Sequence, residues 1–208
     1  MSEGRVNQKA RTRAAVLSAA IEIFREGREP TVPEAAERAR VSPATAYRYF
    51  TSADDLQAEA SAELLSFVSS SDEVRPAIEA AGDDVHARLE ALVRTLGRRM
   101  LTDQAPFRQQ AKAGHVRWFA NQQADGEPVD VRVGRRNQFI RQVLAPLEGR
   151  LTEADHGRLV AALAIGFGTE AATSLTDVAR LEPDAALEVM LVTCRWILDG
   201  ALAEAGLR

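Results

Sequence analysis

Cysteine is almost missing from this chain. Cys194 is the only one in 208 residues, so no internal disulfide can staple the fold. Histidine is scarce as well. His86, His115 and His156 stand far apart, none in HxxxH or HExxH spacing, so no metal is expected. No segment alternates with the period of a strand, and no repeat or low-complexity tract is visible. The longest apolar run, Leu159 to Gly168, falls short of the ~18 residues a membrane span needs, and no basic, apolar leader opens the chain. The expectation is a soluble, cytoplasmic protein with no membrane partner.

Catalytic groupings are missing too. Asp54-Asp55 and Asp83-Asp84 stand where helix N-termini favour acids. Gly166-Phe167-Gly168 lies inside an apolar helix and follows no strand, so it is no phosphate loop. Ser42 heads a helix without His–Asp support, and Cys194 lies on an apolar face. We therefore expect no enzyme and no cofactor.

What is present is helical periodicity from end to end, and the fold class expected is all-α. Formal net charge is −4, unevenly spread. Residues 1–50 hold nine basic and six acidic groups, a balance of +3, which leaves −7 for the rest. A basic head on an acidic body keeps attraction for nucleic acid local.

Val16, Leu17, Ala20, Ile21 and Phe24 form an apolar stripe on a first helix from about Ala10 or Thr12 to Glu26, ended by Gly27. Arg11 and Arg13 fall at its start, within reach of a phosphate or a minor groove. The next stretch, TVPEAAERARVSPATAYRYF, reads as two short helices joined by a tight turn. Thr31 with Glu34 makes a capping box, and Ser42 caps a second helix with Pro43 at its first position. Ala35, Ala36 and Ala39 form a thin face that lets another helix cross closely. Thr45, Tyr47, Arg48 and Tyr49 crowd the second helix with hydrogen-bonding and cationic groups, as on a helix presented to a major groove.

RVSPATAYRYFTSADDL, preceded by AAVLSAAIEIFREG, resembles the DNA-binding head of the tetracycline-repressor (TetR) family over about the first sixty residues. The resemblance implies a three-helix helix-turn-helix head, placed at residues 1–51, and a helical ligand-binding and dimerisation body at 52–208. It puts Pro43, Ala44, Thr45, Tyr47, Arg48 and Tyr49 on DNA; Arg11, Thr31, Arg40 and Ser42 join them. Thr45 and Arg48 have the chemistry to read bases. The expected partners are a palindromic duplex operator, a small-molecule effector and a second copy of the chain. The sequence departs from the family pattern in three ways: Arg40 replaces the usual turn glycine, Ala53 replaces a common phosphate-binding lysine, and Ala35 and Ala46 replace larger aliphatics. These departures keep open an alternative, a helical small-molecule-binding or interaction protein whose head no longer reads DNA.

In the body, Ser52 and Asp55 open a helix to about Ser69, lined by Leu56, Leu64, Leu65 and Phe67. Ser69 to Asp72, Pro76 and Gly82 are expected to break the chain. Helices follow from Asp83 to Leu101, Gln104 to Gln123 and Val129 to Leu147, with a loop at 124–128. Thr152 with Asp155 opens a helix to about Thr176, and Glu182-Pro183 opens the last. Met100, Phe107, His115, Arg117, Trp118, Phe119 and Phe167 gather aromatic and polar character suited to a pocket. Of these, Met100, Phe107, His115, Trp118, Phe119 and Phe167 are the expected ligand-binding residues. The last two long helices are apolar enough to suggest a four-helix dimer interface through Leu159, Leu163, Gly166, Leu187, Leu191, Cys194 and Leu198.

Overall fold

A computed structural model describes residues 3–68, 71–123 and 134–207, and every regular element among them is helical. The all-α expectation holds. The chain forms two compact units, Met1–Val68 with Ala105–Val131, and Ser69–Gln104 with Arg132–Arg208. Compactness thus divides the chain elsewhere than the expected boundary at residue 51. The expected loop at 124–128 and the start of a helix at Val129 lie outside the described residues, as do the side chains of Leu64, Leu65, Phe67 and Arg117.

In the first unit, α1 (Glu3–Arg25) begins earlier than its apolar stripe. Val16, Ala19, Ala20, Ile23 and Phe24 are buried, whereas Leu17 and Ile21 are only half-buried. The stripe is therefore rotated by part of a turn from the one expected. Gly27, at φ +77°, ends the helix: its N–H bonds Phe24 O, and Arg28 N–H bonds Ile23 O. Helix α2 (Val32–Arg38) and helix α3 (Pro43–Ala46) follow. Ala35, Ala36 and Ala46 are fully buried, whereas Ala39, expected on the same face as Ala35 and Ala36, is half-buried. Helix α4 (Ala53–Val68) opens with reciprocal bonds. Asp55 N–H donates to Ser52 Oγ, and Thr51 N–H donates to the Asp55 carboxylate. Leu56 and Ala60 close the core beneath Phe50. Helix α8 (Gln104–Gln123) also belongs here and has the expected bounds.

In the second unit, α5 (Ser71–Ala80) corrects the expected break, because Pro76 lies inside a helix. The missing proline N–H costs one backbone bond. Burial of Val74 and Ile78 on one face offsets it. Next, α6 (Val85–Leu92) is capped by Asp84, whose carboxylate accepts from His86 N–H and Ala87 N–H. It runs through a wider π turn, Val93–Gly97, into α7 (Arg98–Thr102). Gly97 faces Leu187 and Met190 of the last helix at ordinary van der Waals range. Helix α9 (Arg135–Val143) ends in a 3-10 turn, Ala145–Leu147, around Pro146.

The expected single helix from Thr152 to Thr176 is two helices, α10 (Glu153–Gly166) and α11 (Thr169–Thr173), continued by a π turn, Ser174–Val178. Gly168 makes the break at φ +148°, and a β-carbon there would collide with the Arg136 guanidinium. The stretch Glu153–Val178 is long and apolar enough by composition to cross a membrane. Its buried residues Leu159, Val160, Leu163 and Phe167 belong to the unit's core. Helix α12 (Pro183–Glu204) packs along α10.

Candidate nucleic-acid interface

The corner between α2 and α3 is set by its caps. Thr31 Oγ1 accepts from Glu34 N–H at 3.3 Å, and Ser42 Oγ accepts from Thr45 N–H at 3.2 Å. The second half of the expected box at Thr31 is replaced, because the Glu34 carboxylate pairs with Arg28. Between the helices, Val41 N–H bonds Ala36 O at 2.9 Å and Arg40 N–H bonds Glu37 O at 3.0 Å. This paired closure needs a left-handed residue, and Arg40 supplies it at φ +57°. A β-carbon in that region costs about 1–2 kcal/mol. Arg40 is therefore strained in the same role that Gly27 fills freely after α1.

Helix α3 is one turn long, shorter than expected, and Tyr47, Arg48 and Tyr49 lie in the tightened turn after it. Arg48 N–H bonds Thr45 O and Tyr49 N–H bonds Ala46 O, three residues back. The turn still sorts the side chains. Ser42, Pro43, Ala44 and Arg48 are exposed, and Tyr47 is 47% exposed. Thr45 and Tyr49 are half-buried. The Thr45 hydroxyl is 2.8 Å from Ser42 Oγ, so it is engaged locally before any partner arrives.

Charge is distributed selectively around this corner. Glu26 binds both Arg38, at 2.5 Å, and Arg28, at 2.7 Å, and Arg28 reaches Glu34. The bonds from Arg38 and then Arg28 hold the Glu26 carboxyl down at about 2. Arg13 pairs with Glu59 and lies 5.2 Å over the Phe50 ring. Both Arg11 and Arg13 sit well inside α1 rather than at its start. Among the described residues, Arg11, Arg40 and Arg48 have no carboxylate partner, and all three are exposed. Asp54 and Asp55, also exposed, open α4 where the resembled family favours a lysine nearby.

The expected pocket residues are divided between the two units. Phe107, His115, Trp118 and Phe119 fall in the first unit, Met100 and Phe167 in the second. Phe107, Met100 and Phe167 are buried core. His115 is exposed, and Trp118 and Phe119 meet edge-to-face at 5.0 Å on an exposed face, 50% and 62% accessible.

The expected dimer residues are corrected as well. Leu159, Leu163, Gly166, Leu187, Leu191, Cys194 and Leu198 are all buried within the one chain. A β-carbon on Gly166 would lie 2.9 Å from Cys194 Sγ and 3.1 Å from Ile197, so its smallness serves the internal crossing. Burial pushes the Cys194 thiol up to about 12, which leaves it unreactive. The outer face of the pair carries other residues: Ile165 at 79% exposure, Trp196 at 70%, and Val189. An open groove of about 540 Å³ is lined by Trp196 with Leu159, Ala162, Ile197 and Ala201, and by the charged Asp155, Arg158 and Glu204. Sequence reasoning missed Ile165, Val189 and Trp196. The available signal was a surplus of apolar residues on α12 beyond one buried face.

Among the described residues, no group of three metal-ligating side chains converges. Compared with known proteins, the chain matches no family, no curated protein and no solved structure.

Proposed function

We propose that this chain is a DNA-binding transcriptional regulator of TetR type, cytoplasmic and dimeric, acting as a repressor that a small-molecule effector releases from a palindromic operator. The observation that carries this reading is the α2–α3 corner. It is fixed by two caps and a paired turn, and its outer side presents Tyr47 with the unpaired guanidiniums of Arg40 and Arg48. An exposed cation held by no carboxylate is available to phosphate or guanine without breaking an existing bond. Arg48 is the base or phosphate reader, Tyr47 a phosphate contact, and Thr45 an anchor of α3.

The second copy docks on the outer face of α10 and α12. Ile165 and Trp196 project, while Ala162, Ala201 and the groove recede. Projections and hollows on one face suit a two-fold interface, in which a patch meets itself. Two corners on such a dimer would enter successive major grooves about 34 Å apart. The effector follows from the family resemblance.

Asp54 and Asp55 at the start of α4 favour a second reading, an interaction protein whose corner no longer holds DNA. Selection of bound sequences from a random duplex pool, at near-physiological salt, tests both. An enriched two-fold symmetric motif supports the regulator. No enrichment, with and without metabolite extract, supports the second reading.

A further inference from the structure

A short chain of buried amides runs through the first unit. Gln57 on α4 and Gln109 on α8 are both buried. Gln57 Nε2 donates to Pro30 O at 3.0 Å, and Gln109 Nε2 donates to Gln57 Oε1 at 3.1 Å. Chemistry fixes the direction. A carbonyl only accepts, so Gln57 must turn its NH2 to Pro30; its oxygen then faces Gln109, which must present its own NH2. Pro30 is buried and immediately precedes Thr31, the cap of α2. One turn further along α8, Lys112 Nζ lies 3.2 Å from Glu29 Oε1. Helix α8 therefore grips two successive residues at the entry to α2, one directly and one through Gln57.

We propose that Gln57 and Gln109 are positioning residues for the α2–α3 corner, Gln109 acting only through Gln57. What the corner does rests on the regulator reading; the positioning does not. A buried amide that loses one partner must either flip or stay unpaired. Loss of Gln109 leaves Gln57 Oε1 buried without a donor, and any movement of that amide toward a new partner loosens its hold on Pro30, which Gln109 does not touch. No sequence pattern announces such a relay, since a glutamine on a helix is ordinarily solvated.

Backbone hydrogen exchange of the full chain tests this without DNA. Gln109→Met, Gln57→Met and the double variant are compared with wild type. Gln109→Asn, which keeps the amide but shortens its reach, serves if the methionine variants fold poorly. The relay predicts exchange at least about fivefold faster over residues 31–36 in every variant, with α12 unchanged. It also predicts that the double variant is no faster there than Gln57→Met alone. Additive effects, or acceleration confined to α8 in Gln109→Met, would overturn it. Where the protein binds a selected duplex, Gln109→Met should weaken binding at least threefold without changing the salt slope, because no phosphate contact is lost. Unchanged affinity would overturn the positioning role. If wild type binds no duplex, the regulator reading fails and the exchange data alone decide the relay.

Discussion

The α2–α3 corner and the α10–α12 crossing bring two helices together by the same means and differ in what they leave outside. Ala35, Ala36 and Ala46 are buried in the first, and Gly166 fits against Cys194 in the second. Outside the corner stand Tyr47, Arg48 and Arg40; outside the crossing stand Ile165, Val189 and Trp196. Small residues explain the close approach of helices in both places and say nothing about partners. The outward chemistry does: cations and hydroxyls suit an anionic polymer, and a mixed face of bulky and small apolar groups suits another protein surface.

The sharpest way to break this comparison is at the crossing. Trp196→Arg should convert the proposed dimer to a monomer by solution mass at micromolar concentration, leaving the fold intact. Leu163→Ala should do the reverse, costing about 3 kcal/mol of unfolding free energy while the folded protein stays dimeric. A monomeric wild type would remove the dimer altogether, and a Leu163→Ala variant that dissociates at unchanged stability would restore the inward leucines as its interface.

At the corner, Arg48→Ala should lower affinity for the selected duplex by about 1–3 kcal/mol. Equal affinity at matched salt would remove Arg48 from the interface. A smaller and more telling effect is expected from Arg40→Gly, where two roles separate. Glycine relieves left-handed strain but adds freedom to the unfolded chain, for a net gain of about 0.5–1 kcal/mol in stability. The same change should weaken duplex binding and lower the salt slope by about one. Stability and affinity moving together would show that Arg40 has a structural role only.

The smallest effect concerns the ion cluster behind the corner. The Glu26 carboxyl is held at about 2, below its ordinary 4.5, by the bonds from Arg38 and Arg28. A depressed carboxylate contributes stability above its unfolded value and loses it as pH falls through the folded one. The link between the end of α1 and α2 should therefore weaken from about pH 4.5 to about 2, and Glu26→Gln should abolish that step. An NMR titration of Glu26 midway near 4.5 would remove the effect.

Much of the corner was legible in the sequence because caps are local. A hydroxyl at Thr31, Ser42 or Thr152 finds an amide three residues on, whatever the rest of the chain does. The all-helical class was legible for a similar reason, since periodicity persists along whole segments. The break at Gly168 was not, because its backbone at φ +148° departs from the helical path that the apolar periodicity on both sides continues. Pro76 inside α5 escaped too, since only burial of Val74 and Ile78 keeps that helix going.

The sequence by itself determined that Thr31, Ser42, Ser52 and Thr152 cap helices, and where α8 starts and stops. These are settled within a few residues of backbone. Only the tertiary structure decided that Leu163 and Leu191 point inward while Ile165 and Trp196 point out, that Arg13 is spent on Glu59 while Arg48 is free, and that Gln109 reaches Pro30 through Gln57. An apolar helix with more than one apolar side can be buried by its own chain or by a partner, and a cation can be paired or unpaired. Which one holds depends on residues far away in sequence that packing brings near.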